Sequence, residues 1–195
     1  MMAPIRSKPP VANNDFAVNE DPERLDNVYN RVLGKEGYKM LTDEVKWLAV
    51  THKSFDHGRR GFNERLAFLG KRIVQLQTSL TLFHSSSATP FPETQDQYGR
   101  EPFRHPALDG LAGVSAESKE QILRTGRTAQ LAEKYGLNTV VRWKPRTMAN
   151  LKGSGQLIVT SRALYAIVGA VALQKGGEVA NNVVRERILW PLGLQ

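Results

Sequence analysis

The sequence predicts an all-α protein, on three observations. Apolar residues recur at helical spacing along most of the 195 residues, no segment sustains the alternation of a β-strand, and capping residues and glycines bound the periodic segments. Hydrophobic residues make up 41% of the chain, enough for one buried core but not for a second full module. We therefore expect one helical domain over residues 21–190, after a flexible extension or presequence remnant at residues 1–20.

Two helices are predicted near the start of this domain. The first has Asp21 as N-cap, Pro22 at its first position and Gly34 as its stop, and its inward residues are Leu25, Val28 and Val32. The second is capped by Thr42 and runs to about Lys53. A third and longest helix spans about residues 63–83, and its spacing assigns to the core Leu66, Leu69, Ile73, Leu76 and Leu80.

Residues 84–118 interrupt the helical pattern, because they are rich in Ser, Pro and Gly and have no steady period. We expect an irregular insertion loop that serves as a contact arm. A helix then runs from about residue 118 to 135 and ends at Gly136, followed by a last pair over about 157–174 and 178–189. The apolar run ALYAIVGAVAL at 163–173 is shorter than the roughly 20 residues of a membrane span, so it predicts a buried helix and no membrane span.

Composition limits the function classes. The absence of cysteine excludes disulfides, thiolate metal sites and cysteine nucleophiles. The four histidines form no recognisable zinc set, and Lys152-Gly153-Ser154-Gly155 lacks the spacing of a phosphate loop and predicts a turn. The formal charge of +8, from 27 basic and 19 acidic residues, is typical of a protein that binds polyanions, with nucleic acid as the first candidate.

Four sequence blocks resemble, in the correct order, the motifs of the ribonuclease III family. THKSF at 51–55 and NERLAFLGKRIV at 63–74 are similar to the family's paired signature. TGRTAQLAEKYGL at 125–137 resembles its next helix, and SRALYAIVGAVALQKGG at 161–177 resembles its second catalytic helix. The resemblance covers about residues 24–189 and implies the helical ribonuclease III endonuclease-domain fold.

The resemblance also implies that the catalytic site is degenerate. Catalytic members hold Mg²⁺ through four carboxylates, and the ions activate water for phosphodiester hydrolysis. A fifth, supporting glutamate of the family matches Glu64, whereas the four ligand positions here are Ala67, Lys71, Arg162 and Tyr165. We therefore expect no metal, no cofactor and no nuclease activity at this site.

Two interpretations of the substituted positions remain open from the sequence. Lys71 and Arg162 either replace the metal, by pairing with Glu64 and tying the two helices together, or are solvated side chains. Tyr165 is predicted to be a packing residue whose hydroxyl lies at the edge of the core. Under both interpretations the site lacks the carboxylates that catalysis requires.

A basic stretch predicts an RNA contact. Residues 119–152 contain eight Lys or Arg against two Glu, and VRWKPRTMANLK has an indole flanked by cations, a pattern suited to phosphate contacts and base stacking. A solvated loop is the alternative. The candidate RNA-binding residues, with a second site at HGRR, are Arg59, Arg60, Arg142, Trp143, Lys144, Arg146 and Lys152.

The scaffold, the degenerate site and the basic charge together resemble the catalytically inactive ribonuclease III-like proteins of the mitochondrial large ribosomal subunit, of fungal type. The resemblance implies a structural role with ribosomal RNA and neighbouring ribosomal proteins as partners, and no further double-stranded RNA-binding domain. It also implies a dimer, either with a second copy or with another ribonuclease III-like ribosomal protein. The alternatives are an inactive partner subunit in RNA processing and a free RNA-binding regulator.

Overall fold

The computed structural model of the chain describes residues 16–84, 97–100, 103, 105–108 and 111–194. The predicted N-terminal extension up to residue 15 and about half of the predicted contact arm at 84–118 lie outside the described residues. The predicted domain limits of 21–190 therefore stay predictions.

Seven α-helices form the described part of the chain, and we number them in chain order. They are α1 (Pro22–Leu33), α2 (Asp43–Val50), α3 (Glu64–His84), α4 (Ala116–Ile122), α5 (Thr125–Lys134), α6 (Gln156–Lys175) and α7 (Gly177–Val184). A π-helical turn at Arg185–Leu189 extends α7. The described residues contain no strand and a single isolated parallel bridge, between Thr51 and Arg142. The all-α prediction is confirmed.

Capping residues explain where α1 begins and ends, but not where α2 begins. The Asp21 carboxylate accepts a hydrogen bond from the Glu23 N–H at 2.9 Å, and Gly34 ends α1 at a φ of 98°, as predicted. Thr42 precedes α2, but its hydroxyl accepts from the Gln174 side chain and does not cap the helix. Since α2 ends at Val50, the following residues are free to form a loop.

Helix α6 is the centre of the core. Its residues from Val159 to Val171 are almost all buried, and α2, α3, α5 and α7 pack around it. In the described part of the chain, α6 is the one helix with the length and hydropathy of a membrane span, but 67% of that window is buried within the protein. This burial is typical of a core helix, as predicted for residues 163–173.

Helices α3 and α6 cross at two glycines. A Cβ atom on Gly70 would lie 1.8 Å from the carbonyl oxygen of Tyr165, and one on Gly169 would lie 2.2 Å from that of Leu66. Both neighbours are backbone atoms, so no side-chain rotation could relieve the contact. The two helices therefore meet backbone to backbone, which fixes the positions of the side chains on either side of the crossing.

This crossing corrects the predicted core face of α3. Leu66 is buried, but Leu76 and Leu80 are 58% and 40% exposed, and the buried positions of the same stretch also include Ala67, Gly70, Val74, Gln77 and Thr78. The close approach of α3 to α6 needs small residues, so Leu76 and Leu80 lie on the face of α3 that points away from α6. The buried Gln77 side chain has a hydrogen-bond partner within the protein, because its amide oxygen accepts from Arg185 Nε at 3.2 Å.

The predicted helix over 118–135 is two helices. The α4 helix begins at Ala116, with the Ser115 side chain capping the Ser118 N–H, and ends at Ile122. The α5 helix begins after Arg124, whose backbone is extended. Near this break the Arg127 guanidinium donates to the carbonyls of Gln121, at 3.3 Å, and Leu192, at 2.7 Å.

Candidate functional site

A cleft of about 390 Å³ brings together the five residues predicted for the degenerate site. Glu64, Ala67 and Lys71 line it from α3, and Arg162 and Tyr165 line it from α6. The remaining lining residues are Phe68, Thr125, Ile158 and Ser161. The glycine crossing of α3 and α6 places the two sets opposite each other.

The ion pairs of the cleft differ from the predicted ones. Glu64 Oε1 lies 3.4 Å from Lys53 Nζ, with both side chains about half exposed, so the pair contributes little to stability. Lys71 and Arg162 are exposed, and no carboxylate among the described residues lies within ion-pair distance of either. Of the two interpretations, the one in which Lys71 and Arg162 pair with Glu64 and tie the helices together is wrong. Glu64 pairs with Lys53 instead, and the two helices are joined at the glycine crossing.

Tyr165 closes the inner end of the cleft. It is 6% exposed, and burial raises the pKa of its hydroxyl, although the hydroxyls of Thr128 and Ser161 act in the opposite direction. The Thr128 and Ser161 oxygens are themselves 2.8 Å apart and buried. Tyr165 is thus a packing residue as predicted, but its hydroxyl adjoins a buried polar pair rather than the edge of the core.

The donor set of this cleft does not fit a divalent metal ion. Glu64 is the one carboxylate among the described residues that line it, whereas Mg²⁺ and Ca²⁺ need several oxygen ligands. Lys71 and Arg162 would add repulsion between like charges. No group of three or more His, Asp or Glu elsewhere in the described residues is placed to hold a metal ion.

A backbone bridge joins the two basic segments that the sequence presented separately. Thr51 and Arg142 form it: the Arg142 N–H donates to the Val50 carbonyl and the His52 N–H donates to the Arg142 carbonyl, each at 2.9 Å. The Lys144 N–H donates to Ser54 Oγ at 3.0 Å. The loop at 51–60 therefore lies beside the segment at 142–146.

His52 lies between this bridge and the cleft. Its Nδ1 accepts from the Ser54 N–H at 3.2 Å and lies 3.0 Å from Ser54 Oγ. Burial lowers the pKa of His52, and the nearby charges of Arg162 and Lys53 lower it further against the opposing effect of Glu64. Burial is the main cause of this shift, and the two charge effects place His52 within electrostatic range of Arg162 and Lys53.

Two of the predicted RNA-binding residues are used for packing. Trp143 is 4% exposed and meets Phe16 edge to face at 5.8 Å between ring centroids, so the prediction that its indole stacks on bases is wrong. The Arg142 guanidinium lies 4.4 Å from the Phe55 ring centroid and 5.3 Å from that of Trp47. Burial and the charge of Arg60 lower the pKa of Arg142, with Glu20 acting in the opposite direction.

We predict that Trp143→Ala lowers the free energy of unfolding by about 3–5 kcal/mol, the usual cost of removing a buried aromatic side chain. Urea denaturation followed by circular dichroism measures it. Trp190→Ala is the control, because Trp190 is 56% exposed and its loss should cost far less. A Trp143→Ala protein with unchanged stability and selectively weakened RNA binding would restore the stacking interpretation.

The other predicted RNA-binding side chains are exposed. We call Arg59, Arg60, Lys144 and Arg146 the bridge surface, since they lie on the two segments that the bridge joins. Arg60 contacts Asp56 at 3.3 Å in an exposed pair. Lys152 is also exposed, on the turn before α6, where Gly155 adopts the left-handed conformation with a φ of 95°.

Sequence reasoning missed several residues that shape the site. Lys53 was not singled out, although it holds Glu64, and neither was Phe68, which is 66% exposed on the rim of the cleft beside Ile158 at 52%. Gly70 and Gly169 were also missed. Their presence could have been noticed from the sequence, because each stands inside one of the two helices that carry the resemblance. A glycine inside a helix costs about 1 kcal/mol relative to alanine, and close packing of two helices is a reason to have one there.

Comparison with known proteins gives relatives of two kinds. The large ribosomal subunit protein mL57 of Neurospora crassa is 45% identical over 178 residues, which cover 91% of this chain and 66% of that protein. Ribonuclease 3 of Mycobacterium bovis is 30% identical over 157 residues, covering 78% of this chain and 56% of that protein. The chain thus spans from over half to just under two thirds of the length of these relatives.

The fold and the family follow from two further comparisons. The crystal structure of the nuclease domain of ribonuclease III from Campylobacter jejuni covers 91% of this chain and 99% of its own, with a TM-score of 0.61 and 22% identity, which shows a shared fold. The predicted ribonuclease III fold is confirmed. A family model described as Ribonuclease-III-like matches residues 42–192, more than half of the chain. The chain therefore belongs to the ribonuclease-III-like family.

Proposed function

We propose that this chain is a non-catalytic structural protein of the large subunit of the mitochondrial ribosome, where it binds ribosomal RNA and neighbouring ribosomal proteins. The observation that carries the proposal is the 45% identity, over 91% of the chain, to a protein named as a component of a large ribosomal subunit. The mitochondrial location, in the matrix and on the ribosome, rests on the resemblance of the sequence motifs. The exposed cations of the bridge surface supply phosphate contacts of the kind that position a protein on RNA.

The same proposal holds that the chain does not cleave RNA. Its cleft offers one carboxylate, already paired with Lys53, and two cations without a carboxylate partner in the described residues. Metal-assisted hydrolysis needs ions held close to the phosphate by several oxygen ligands. The residues present at the four ligand positions supply none of these oxygens.

The test of the ribosomal role is sedimentation. Mitochondrial lysate is fractionated on a sucrose gradient, and the chain is followed by immunoblot before and after a high-salt wash. We expect it to migrate with the large subunit under both conditions, because an integral component is held by many contacts at once. Recovery mainly in the soluble fractions would contradict the ribosomal proposal and favour a free RNA-binding regulator.

The second candidate function is an inactive partner subunit in RNA processing, favoured by the 30% identity to ribonuclease 3 of Mycobacterium bovis. A gel assay with double-stranded RNA and Mg²⁺ or Mn²⁺ separates the two candidates. The chain alone should leave the RNA intact. Reproducible cleavage that Glu64→Ala abolishes would contradict the non-catalytic assignment.

A dimer through α3 is part of the proposal. Phe68 is 66% exposed, with the Arg72 guanidinium 5.4 Å from its ring centroid, and Ile158 beside the same cleft is 52% exposed. Exposed apolar side chains of this size are typical of a protein contact. The proposed partner is another ribonuclease III-like chain, as the family resemblance implies.

We predict that Phe68→Ser weakens this dimer about 30-fold or more, the effect of losing an interface residue worth about 2 kcal/mol. Mass photometry of the chain with a second ribonuclease III-like ribosomal protein measures the dissociation constant. Leu173→Ser is the matched control, since Leu173 is 67% exposed near the far end of α6. Equal effects of the two substitutions would mean that Phe68 is not in the interface.

A further inference from the structure

The former metal cleft has the charge of an anion site. Lys71 and Arg162 line it from two different helices, both are exposed, and neither has an ion-pair or hydrogen-bond partner among the described residues. The carboxylate of Glu64 is shared with Lys53 at 3.4 Å, so its charge is partly compensated outside the cleft. Among the described residues that line the cleft, two cations without an ion pair thus face one carboxylate, Glu64, which is paired with Lys53.

A wider groove continues from the cleft between α3 and α4. It measures about 880 Å³ and shares Lys71 and Thr125 with the cleft, so the two are contiguous. Among the described residues, its lining adds the cations Arg72, Lys119 and Arg124 and one carboxylate, Glu120. None of the three forms an ion pair among the described residues, so the groove would concentrate anions towards the cleft.

The start of α5 adds to this field. Thr125 is the first residue of this ten-residue helix and lines both cavities, and no side chain caps the N–H groups of its first turn. Free N–H groups and the positive end of a helix dipole favour a phosphate group over a cation.

We propose that the charge-inverted cleft binds a phosphate of the RNA backbone directly, through Lys71 and Arg162 and without a metal ion. This inference rests on the proposed function: if the chain binds ribosomal RNA, the cleft is a second contact besides the bridge surface, and its ligand is a backbone phosphate. Lysine acts as a point charge on phosphate oxygens and arginine can donate two parallel hydrogen bonds, so the pair replaces the neutralising role of a cation. A single protein carboxylate also fits the arginine fork, but the further cations of the adjoining groove, Arg72, Lys119 and Arg124, match the repeated charges of an RNA backbone.

The test compares Lys71→Gln/Arg162→Gln with the full wild-type chain, in binding to a short RNA duplex in EDTA. The wild type should bind in EDTA as well as in Mg²⁺. The double variant should lower the magnitude of the slope of log K against log salt concentration by about two, one for each lost phosphate contact. Lys35→Gln/Lys175→Gln is the control: both residues are exposed, the charge change is the same, and Lys175 lies roughly 20 Å from Arg162 along α6.

Each outcome decides the inference. A slope reduced by about two only in the Lys71→Gln/Arg162→Gln chain supports it, provided that circular dichroism shows an unchanged fold. An unchanged slope overturns it, as does binding that requires Mg²⁺. A third outcome would assign the cleft to a protein carboxylate instead. In that case the double variant would still bind RNA like the wild type, but it would lose the binding of a glutamate-rich peptide that the wild type shows.

Sedimentation separates failure of this inference from failure of the proposed function. A double variant that migrates with the large subunit and binds RNA with an unchanged slope defeats the cleft inference alone. A wild-type chain that does not migrate with the large subunit defeats the ribosomal proposal, whatever the slope. An inorganic phosphate titration, followed by the NMR signal of the Arg162 side chain in EDTA, checks the site itself: a saturable shift lost in Lys71→Gln supports the inference, and no shift contradicts it.

Discussion

Gly70→Ala should destabilise the protein by about 3 kcal/mol or more, at the upper end of what overpacking costs. The added Cβ would lie 1.8 Å from the Tyr165 carbonyl oxygen, and the neighbouring Gly169 backbone nitrogen lies at 2.8 Å from the same position. Because these are backbone atoms, the two helices must move apart. The gain of about 1 kcal/mol in helix propensity from glycine to alanine cannot offset this displacement.

Urea denaturation followed by far-UV circular dichroism measures the effect. Gly126→Ala is the control, since Gly126 lies in α5 and has no atom within 4 Å of the position its Cβ would take. That variant should be as stable as the wild type or slightly more stable. Gly169→Ala should act like Gly70→Ala, because its Cβ would meet the Leu66 carbonyl oxygen. A Gly70→Ala protein of wild-type stability would mean that α3 and α6 do not meet backbone to backbone.

Replacing the four cations of the bridge surface with glutamine should lower RNA affinity on the order of 100-fold at physiological salt. Each exposed cation that contacts a phosphate releases a counterion, so the magnitude of the salt slope should fall by about four. The fold should stay intact, because all four side chains are exposed and Arg142 and Trp143, which pack the bridge, are left unchanged.

Filter binding to an RNA duplex over a salt series measures both quantities. A control chain with four other exposed lysines replaced by glutamine carries the same change of charge, at Lys35, Lys39, Lys134 and Lys175. If the control loses as much affinity as the bridge-surface variant, binding depends on net charge and not on a defined surface. An unchanged affinity in the bridge-surface variant would mean that these residues form a solvated loop.

The helices and their order could be predicted because they depend on local spacing and caps. Asp21 and Gly34 bound α1 as expected, and the apolar run predicted at 163–173 is buried in α6 as far as Val171, whereas Leu173 is exposed. Two leucines of α3, Leu76 and Leu80, were wrongly assigned to the core and are exposed, whereas Leu66 is buried as predicted. Helical spacing identifies an apolar stripe, but the partner decides which face is covered, and here the partner approaches closely only beside glycine and other small residues.

Long-range pairing explains the other errors. Near the break between α4 and α5, Arg127 donates to the carbonyls of Gln121 and of Leu192, which is distant in sequence. Trp143 looked like a stacking platform because cations flank it, but the neighbouring Arg142 pairs with Thr51 in the bridge and the indole is buried beside Phe16. A pattern of adjacent residues carries no information about contacts made across the fold.

The sequence alone predicts the helical class and the family resemblance and, through that resemblance, the loss of metal-ligand carboxylates at four positions, because each prediction depends only on the order of residue types. The contacts made by the residues at these positions are visible only in the tertiary structure. It paired Glu64 with Lys53, left Lys71 and Arg162 unpaired across one cleft, and joined two basic segments through Thr51 and Arg142. The physical reason is that ion pairing and burial depend on distances between helices, which the crossing at Gly70 and Gly169 sets.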